Sequence, residues 1–515
     1  MHDEKKTILI QTILVFLFPF VLCNIYCLIK GFSFFHIYIP ASVKNDSLFY
    51  YKVVEGMIHY GMPRGFFGYN ESRALVGSLP AWSPVVYLPW VLWGKIFGWN
   101  SISAVICNIF YFSAAVSSFV YLTRPSWKNL FSFMFIISVF SSIPFYLMNI
   151  LPEIIITSFM ILFFAFAFRM EKAKNKYINI VLMMVVAFLL VLVRPYLVLF
   201  FGLPLYYMIR EKKYRRYLFI PILFVFGSLF GYWLLTHYFT SEYLLPPSGT
   251  EIIHKFLSFQ FSDGFQMLTD TMKEFIDNLL LVLKTTILYG CVSGSHYFIS
   301  LIVLVISLTL CFDKDNLEKR PVYLLFGIAM IALSMAILFL LQRTPVEGAR
   351  YLFDFVVVGC LICAFCEWNT KTIAMKLILA VSLIILLFWG AFSPVDIKIP
   401  TDEGDLKASV EYWNERFVTQ PIGREEGFGY ENTVDWVYSD VVQDEFRGVR
   451  YGELFALPQW TGISCCTGDY ITENISELKS KYIAAPCDGE VDRLCASSGW
   501  LEVGRTENVV IYSQQ

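Results

Sequence analysis

The sequence predicts an all-α polytopic membrane domain followed by a small α/β domain outside the membrane. Three observations predict it. Charged residues form only 16% of the chain and hydrophobic ones 57%, whereas soluble domains carry about 25% charge. The charges gather in short runs between long apolar segments, as in a chain dissolved in lipid. From Pro394 onward the chain turns polar and rich in Asp, Glu and Gly. With 40 basic against 42 acidic residues, nothing points to nucleic acid as a partner.

A helix needs about 20 apolar residues to cross a bilayer. The first run, Ile8–Ile29, follows His2–Lys6. It is longer than a signal-peptide core and lacks a small-residue cleavage site, so it reads as a retained anchor. Further runs lie at Ser101–Leu122, Leu130–Asn149, Leu151–Phe168, Tyr217–Tyr238, Thr286–Phe312, Val322–Leu341, Leu352–Cys366 and Ile373–Phe392. The stretch Ile178–Ile209 is too long for one span. Pro195 cannot continue its hydrogen-bond ladder, so the stretch divides at Arg194-Pro195. The sum is about eleven spans. With the N-terminus in the cytoplasm, the inner loops are Arg124–Lys128, Arg169–Lys176, Arg210–Arg216, Asp313–Arg320 and Glu367–Lys371. They hold most of the Lys and Arg near the spans and read as topology determinants. The expected location is a cell membrane, with the C-terminal domain extracytoplasmic.

Three outer segments are long: Gly31–Gly98, Phe239–Lys284 and Pro394–Gln515. Within the first, Leu79–Phe97 is apolar but broken by Pro80, Pro84 and Pro89. It reads as an interfacial or re-entrant helix, with Trp82, Trp90, Trp93 and Trp99 at headgroup level. The chain thus divides into a membrane domain, 1–393, and an outer domain, 394–515. In the latter, Asp405–Phe417 reads as an amphipathic helix with Leu406, Val410, Trp413 and Phe417 on one side. Lys481–Ala485 reads as a strand, and Leu501–Arg505 with Val509–Ser513 as a closing hairpin.

Of the 12 cysteines, Cys23, Cys27, Cys107, Cys291, Cys311, Cys360, Cys363 and Cys366 lie in or near apolar segments and read as small packing residues. Cys465, Cys466, Cys487 and Cys495 lie in the polar region, where an oxidising compartment would permit disulfides; the pairing is open. The six His are scattered, with no HExxH, and there is no Walker loop, Rossmann glycine fingerprint or GxSxG. No metal site is read from the sequence.

The candidate chemistry lies at the outer ends of the spans. Asp46, in Lys44-Asn45-Asp46-Ser47, precedes a helical stretch that Gly61-Met62-Pro63 ends. Its plain reading is a helix N-cap; its chemical reading is a carboxylate that takes a proton from a hydroxyl at the membrane surface. Glu153 follows Pro152 at an outer boundary, where the helix dipole favours an acid; it would share a face with Asp46. Arg194 sits at the outer end of its span, with snorkelling to the headgroups as its plain reading. Arg343 and Arg350, with Tyr351, stand in a short outer loop where topology favours few cations. Arginine offers phosphate a planar, always charged fork.

These pieces together resemble the GT-C superfamily of membrane glycosyltransferases, which includes protein O-mannosyltransferases and bacterial aminoarabinose transferases. The residues that carry the resemblance are Asn45-Asp46-Ser47-x-x-Tyr50, the interfacial stretch after it, Pro152-Glu153, Val193-Arg194-Pro195-Tyr196, Ala349-Arg350-Tyr351 and the outer domain ending in Ser498-Gly499-Trp500 and Val509-Val510-Ile511-Tyr512. The resemblance implies a polyprenyl-phosphate sugar as donor and a lipid, glycan or protein acceptor. It implies inversion at the anomeric carbon, with Asp46 as base. Arg350, with Arg343 or Arg194, would hold the lipid phosphate, and Tyr351 would pack beside it. Ser47 stands where the family often has a second acid, so Glu153, Glu55 or Glu71 would have to supply one. A divalent cation is the one cofactor the resemblance leaves open. Two rivals remain. A polymerase or ligase of lipid-linked glycans should carry an Arg pair in the second long outer segment, and Phe239–Lys284 has no Arg. A transporter or flippase should show mid-span charges and internal repeats; the spans read as nearly free of charge.

Overall fold

The computed structural model describes residues 2–29, 33–34, 45–61, 67–69, 83–100, 102–140, 142–170, 173, 175–239, 249–289, 292–335, 345–391, 434–439, 461–466, 468–478, 482–505 and 509–514. The helices run α1 (His2–Ile29), α2 (Asn45–Tyr60), α3 (Leu88–Phe97), α4 (Ser103–Thr123), α5 (Trp127–Val139), α6 (Ser142–Leu147), α7 (Glu153–Arg169) and α8 (Lys176–Val193). They continue with α9 (Gly202–Arg210), α10 (Phe219–Phe239), α11 (Gly249–Leu257), α12 (Phe261–Tyr289), α13 (Val292–Cys311), α14 (Arg320–Met335), α15 (Pro345–Ala364) and α16 (Thr370–Ala391). This is a multi-pass membrane architecture. Among the described residues, α1, α4, α8, α10 and α16 are long and apolar enough to cross a bilayer, and α13 with α14 forms a pair bent by 104°.

Among the described residues the long apolar runs are largely helical, but not each becomes one span. Leu130–Asn149, expected as a single span, forms α5 and α6. Phe140 leaves the helix at φ −93°, ψ 88°, and Pro144 lies inside the short helix that follows. The Arg194-Pro195 division is present: Arg194 is extended at φ −134°, ψ 101°, the conformation that proline imposes on the residue before it. The chain continues as a tighter 3-10 turn, Pro195–Phe201, into α9. Other ends follow local rules. Arg124 closes α4 in the left-handed region at φ 50°, and the Ser126 side chain accepts the Asn129 N–H to start α5.

The bundle turns apolar side chains outward as well as inward. Phe219, Ile222, Leu223, Phe226, Phe230 and Trp233 of α10 are exposed, which suits lipid. Because lipid is as apolar as leucine, helices in it associate through close contact at small residues. Gly359 of α15 is such a point: a Cβ there would stand 1.9 Å from Val303 Cγ1 of α13. The branched valine cannot swing aside, so Gly359→Ala is expected to cost about 1–3 kcal/mol, read as a lower melting temperature in detergent.

A sheet of order β1-β3-β2-β4-β6-β5 completes the fold, from strands β1 (Phe67–Tyr69), β2 (Val434–Ser439), β3 (Thr461–Cys466), β4 (Tyr482–Pro486), β5 (Leu501–Arg505) and β6 (Val509–Ser513). The first four spatial neighbours are parallel; β6 and β5 are antiparallel. The expected strand and closing hairpin are therefore present. Strand β1 comes from the first long loop and pairs with β3, Phe67 opposite Ile463 and Tyr69 opposite Cys465. The Asp405–Phe417 helix lies outside the described residues. Strand β6 joins two cores by its alternation. Val510 and Tyr512 face the small core with Ile483, Ala485 and Cys495, while Ile511 packs into the core of the helical domain. Beneath β6, Asp492 accepts from the Tyr512 hydroxyl and, at 2.7 Å, from the Asp488 N–H. Burial pushes its carboxyl up, but these bonds and Arg505 outweigh that and hold it below the ordinary carboxylate range.

Candidate functional site

Four segments far apart in sequence meet at one end of the bundle: the N-terminus of α7, the residue that closes α8, the early turns of α15, and α2. Glu153 opens α7 directly after Pro152, where the helix dipole favours an acid. It is fully buried. Its Oε1 accepts from two arginines: Arg350 Nε at 2.6 Å and Arg194 Nη2 at 3.2 Å. Arg194 in turn donates from Nη1 to Asp354 Oδ2 at 2.6 Å, and Thr157 Oγ1 donates to Asp354 Oδ1 at 2.8 Å. Arg350 Nη2 reaches the Tyr50 hydroxyl of α2 at 2.9 Å.

Helical spacing makes this arrangement. Glu153 and Thr157 lie one turn apart on one face of α7, and Arg350 and Asp354 likewise on α15. The two faces oppose each other, and Arg194 enters between them because Pro195 forces its backbone out of the helix. Two carboxylates and two guanidiniums balance in charge. Arg194, Glu153 and Asp354 are sealed from solvent, with 1%, 0% and 1% of their side chains exposed, whereas Arg350 retains 22%. Arg350 is thus the member of the cluster that a ligand can reach. The Glu153 Oε2 atom is buried and has no hydrogen-bond partner among the described residues. A buried carboxylate oxygen left so costs free energy.

The surroundings fix these positions. Asn108, buried in α4, accepts from Trp90 Nε1 of α3 at 2.8 Å. It donates to the carbonyl oxygens of Asn149 at 2.6 Å and Leu147 at 3.4 Å. The asparagine thereby pins the segment that leads into Pro152-Glu153. Helix α2 is held by Tyr50 against Tyr87 and by Tyr51 stacked on Trp99, at 5.8 and 5.5 Å between ring centres. Next to the cluster, Tyr146 stacks on Phe353 at 3.9 Å, and the His296 ring meets Ser142 Oγ at 2.9 Å.

The structure therefore brings Glu153, Arg194, Arg350 and Tyr351 together. Arg194 does not snorkel outward; it points into the bundle, 5.2 Å from the ring centre of Tyr351, because two buried carboxylates offer better solvation than a distant headgroup layer. Tyr351, expected beside a lipid phosphate, packs under that guanidinium. Arg343 lies outside the described residues. Asp46 is the second residue of α2, inside its first turn rather than capping it, and one turn ahead of Tyr50. Asp354, Thr157 and Tyr50 were not expected to participate. Asp354 carried a signal nonetheless: a lone carboxylate in an apolar helix demands a partner.

The membrane helices are also less free of charge than the sequence suggests. Besides Asp354, Lys376 of α16 is buried. Its ammonium donates to Ala364 O at 2.9 Å and Cys366 O at 3.1 Å, where α15 ends, so it caps a helix rather than lining a path. Among the described residues no three His, Cys, Asp or Glu side chains converge as metal ligands. The two carboxylates of the cluster are both taken by arginines, so these residues do not fit a divalent cation.

No model of a known protein family matches the chain, and no curated protein is found similar to it. Solved structures are similar to it at low identity. The oligosaccharyltransferase of Archaeoglobus fulgidus, in complex with Zn and sulfate, is 12% identical, with a TM-score of 0.48 over 92% of this chain and 68% of that one. ArnT from Cupriavidus metallidurans bound to undecaprenyl phosphate is 9% identical, with a TM-score of 0.42 over 99% of this chain and 98% of that one. Its apo state is 11% identical over the same shares, again at 0.42.

Proposed function

We propose that this protein is an integral membrane glycosyltransferase that moves a sugar from a polyprenyl-phosphate donor to an acceptor hydroxyl at the extracytoplasmic face. The observation that carries the reading is Arg350. It is the reachable cation of an otherwise sealed ion cluster, and it hydrogen-bonds Tyr50, one turn beyond Asp46. This supports pairing a candidate phosphate-binding fork with a candidate base on the helix that Arg350 contacts, beside an apolar bundle suited to a prenyl tail.

In this mechanism the acceptor oxygen attacks the anomeric carbon as Asp46 takes its proton. The bond from that carbon to the phosphate oxygen breaks, and its electron pair leaves with the phosphate. One displacement inverts the anomeric centre. Arg350 binds the phosphate and stabilises the charge it gains, a contact that strengthens toward the transition state. Glu153 orients Arg350 from behind through its Nε, and the Arg194–Asp354–Thr157 set orients Glu153. No nucleotide takes part, in keeping with a sequence without Walker or Rossmann motifs.

The test is turnover by the purified protein in nanodiscs with radiolabelled sugars. Transfer or release from polyprenyl-phosphate sugars, and none from nucleotide sugars, is the expected outcome. Arg350→Ala is expected to lower kcat about 10²–10³-fold. Turnover of a polyprenyl-diphosphate oligosaccharide alone would favour a glycan ligase or polymerase. Movement of lipid-linked sugar between leaflets without glycosidic cleavage would establish a flippase instead.

A further inference from the structure

The hairpin formed by α11 and α12 supplies none of the cluster residues, and its surface is unusual. Helix α12 runs 29 residues yet carries too much charge to cross a bilayer. At about 100° per residue, Phe261, Phe265, Met272, Ile276 and Leu280 fall on one side. Asp263, Asp270, Glu274 and Asp277 fall on the opposite side. Both sides are open: the five apolar side chains are all exposed, and so are the four acids. The hairpin is closed by Phe256 of α11, whose ring lies 5.2 Å from that of Phe265, and by Lys255 with Asp263 at 3.7 Å. At its tip Phe259 is 80% exposed and held at φ 59°, a region bulky residues rarely adopt.

We infer that the apolar side of α12 and the tip of the hairpin lie in the bilayer interface, so that α11–α12 is a lipid-seated element rather than a water-exposed loop. A helix with one uncovered apolar face and one uncovered charged face is matched by a boundary between hydrocarbon and water. The hairpin's neighbour in the bundle is itself apolar on the outside. Helix α12 packs on α13, which turns Phe298, Leu301 and Val305 outward. The polar face is acidic rather than basic, so apolar area and not attraction to anionic headgroups holds the hairpin down. The seating therefore needs no anionic lipid. It is also independent of the proposed reaction.

The test places a photoreactive residue in the full-length protein, in nanodiscs of phosphatidylcholine with or without an anionic lipid. The variants are Phe265→p-benzoylphenylalanine, Ile276→p-benzoylphenylalanine and, on the opposite face, Asp270→p-benzoylphenylalanine. All three sites are exposed, so folding is retained, and elution as a single species checks it. Lipid adducts by intact mass are expected several-fold more often at 265 and 276 than at 270, already in phosphatidylcholine alone and with no gain from the anionic lipid. Equal adducts at 270 and 265, or no lipid adduct, would show the hairpin in water. Crosslinks from 265 to a second copy or to another part of the same chain would show the apolar face covered by protein. Either result overturns the inference.

Discussion

Asp46→Asn is expected to lower kcat for transfer from a polyprenyl-phosphate sugar about 10²–10⁴-fold, the range of a lost general base, while the donor KM stays within a few-fold. The substitution is chosen because it separates the two roles of this residue. In the first turn of a helix Asn gives up only the acid's interaction with the dipole, about 0.3–1 kcal/mol, so α2 and its packing through Tyr50 and Tyr51 are retained. The amide cannot take a proton from a hydroxyl, so only the chemical step suffers. Thermal unfolding of the variant should stay within a few degrees of wild type. Full turnover in Asp46→Asn would leave the transferase reading standing and move the base to Glu153, whose Oε2 faces no partner among the described residues. In that case Glu153→Gln carries the loss of kcat.

What the sequence made legible follows from what each element depends on. Helices α1, α4, α8, α10 and α16 depend on their own apolar length, and each stands where its run predicts. The pairing of β5 and β6 depends on two alternating stretches close together in the chain, and is also legible. Strand β1 is not, because Phe67-Gly68-Tyr69 becomes a strand only by pairing with β3, almost 400 residues later in the chain. The site divides in the same way. Glu153, Arg194 and Arg350 announce themselves as charges at the ends of apolar runs. Which way Arg194 turns is decided by Asp354 and Glu153 from other helices, so the residue alone favoured the headgroups. Asn108 carried no signal: one buried amide within an apolar helix reads as packing until the carbonyls it meets are known.

The stability of this end of the bundle rests on Asp354. In Asp354→Ala, Arg194 loses its 2.6 Å partner and Thr157 its acceptor, and the balanced cluster becomes a net cation sealed in an apolar bundle. Breaking a buried pair from one side costs about 3–5 kcal/mol, and differential scanning in detergent should show an early, broadened unfolding. Removing both partners with apolar residues of similar volume is a different perturbation. Asp354→Leu combined with Arg194→Met leaves no stranded charge between them, and such replacements are often neutral or stabilising. The double variant should therefore unfold near wild type. Its kcat should nevertheless remain depressed, because Glu153 then has only Arg350 to fix its position, and Arg350 no longer presents its fork from a rigid base. A stable but slow double variant assigns the Arg194–Asp354 pair to positioning. A double variant as active as wild type would make the pair a dispensable packing feature. A double variant as unstable as Asp354→Ala would mean that Thr157 and the shape of the pocket, not the unpaired charge, hold α7 and α15 together.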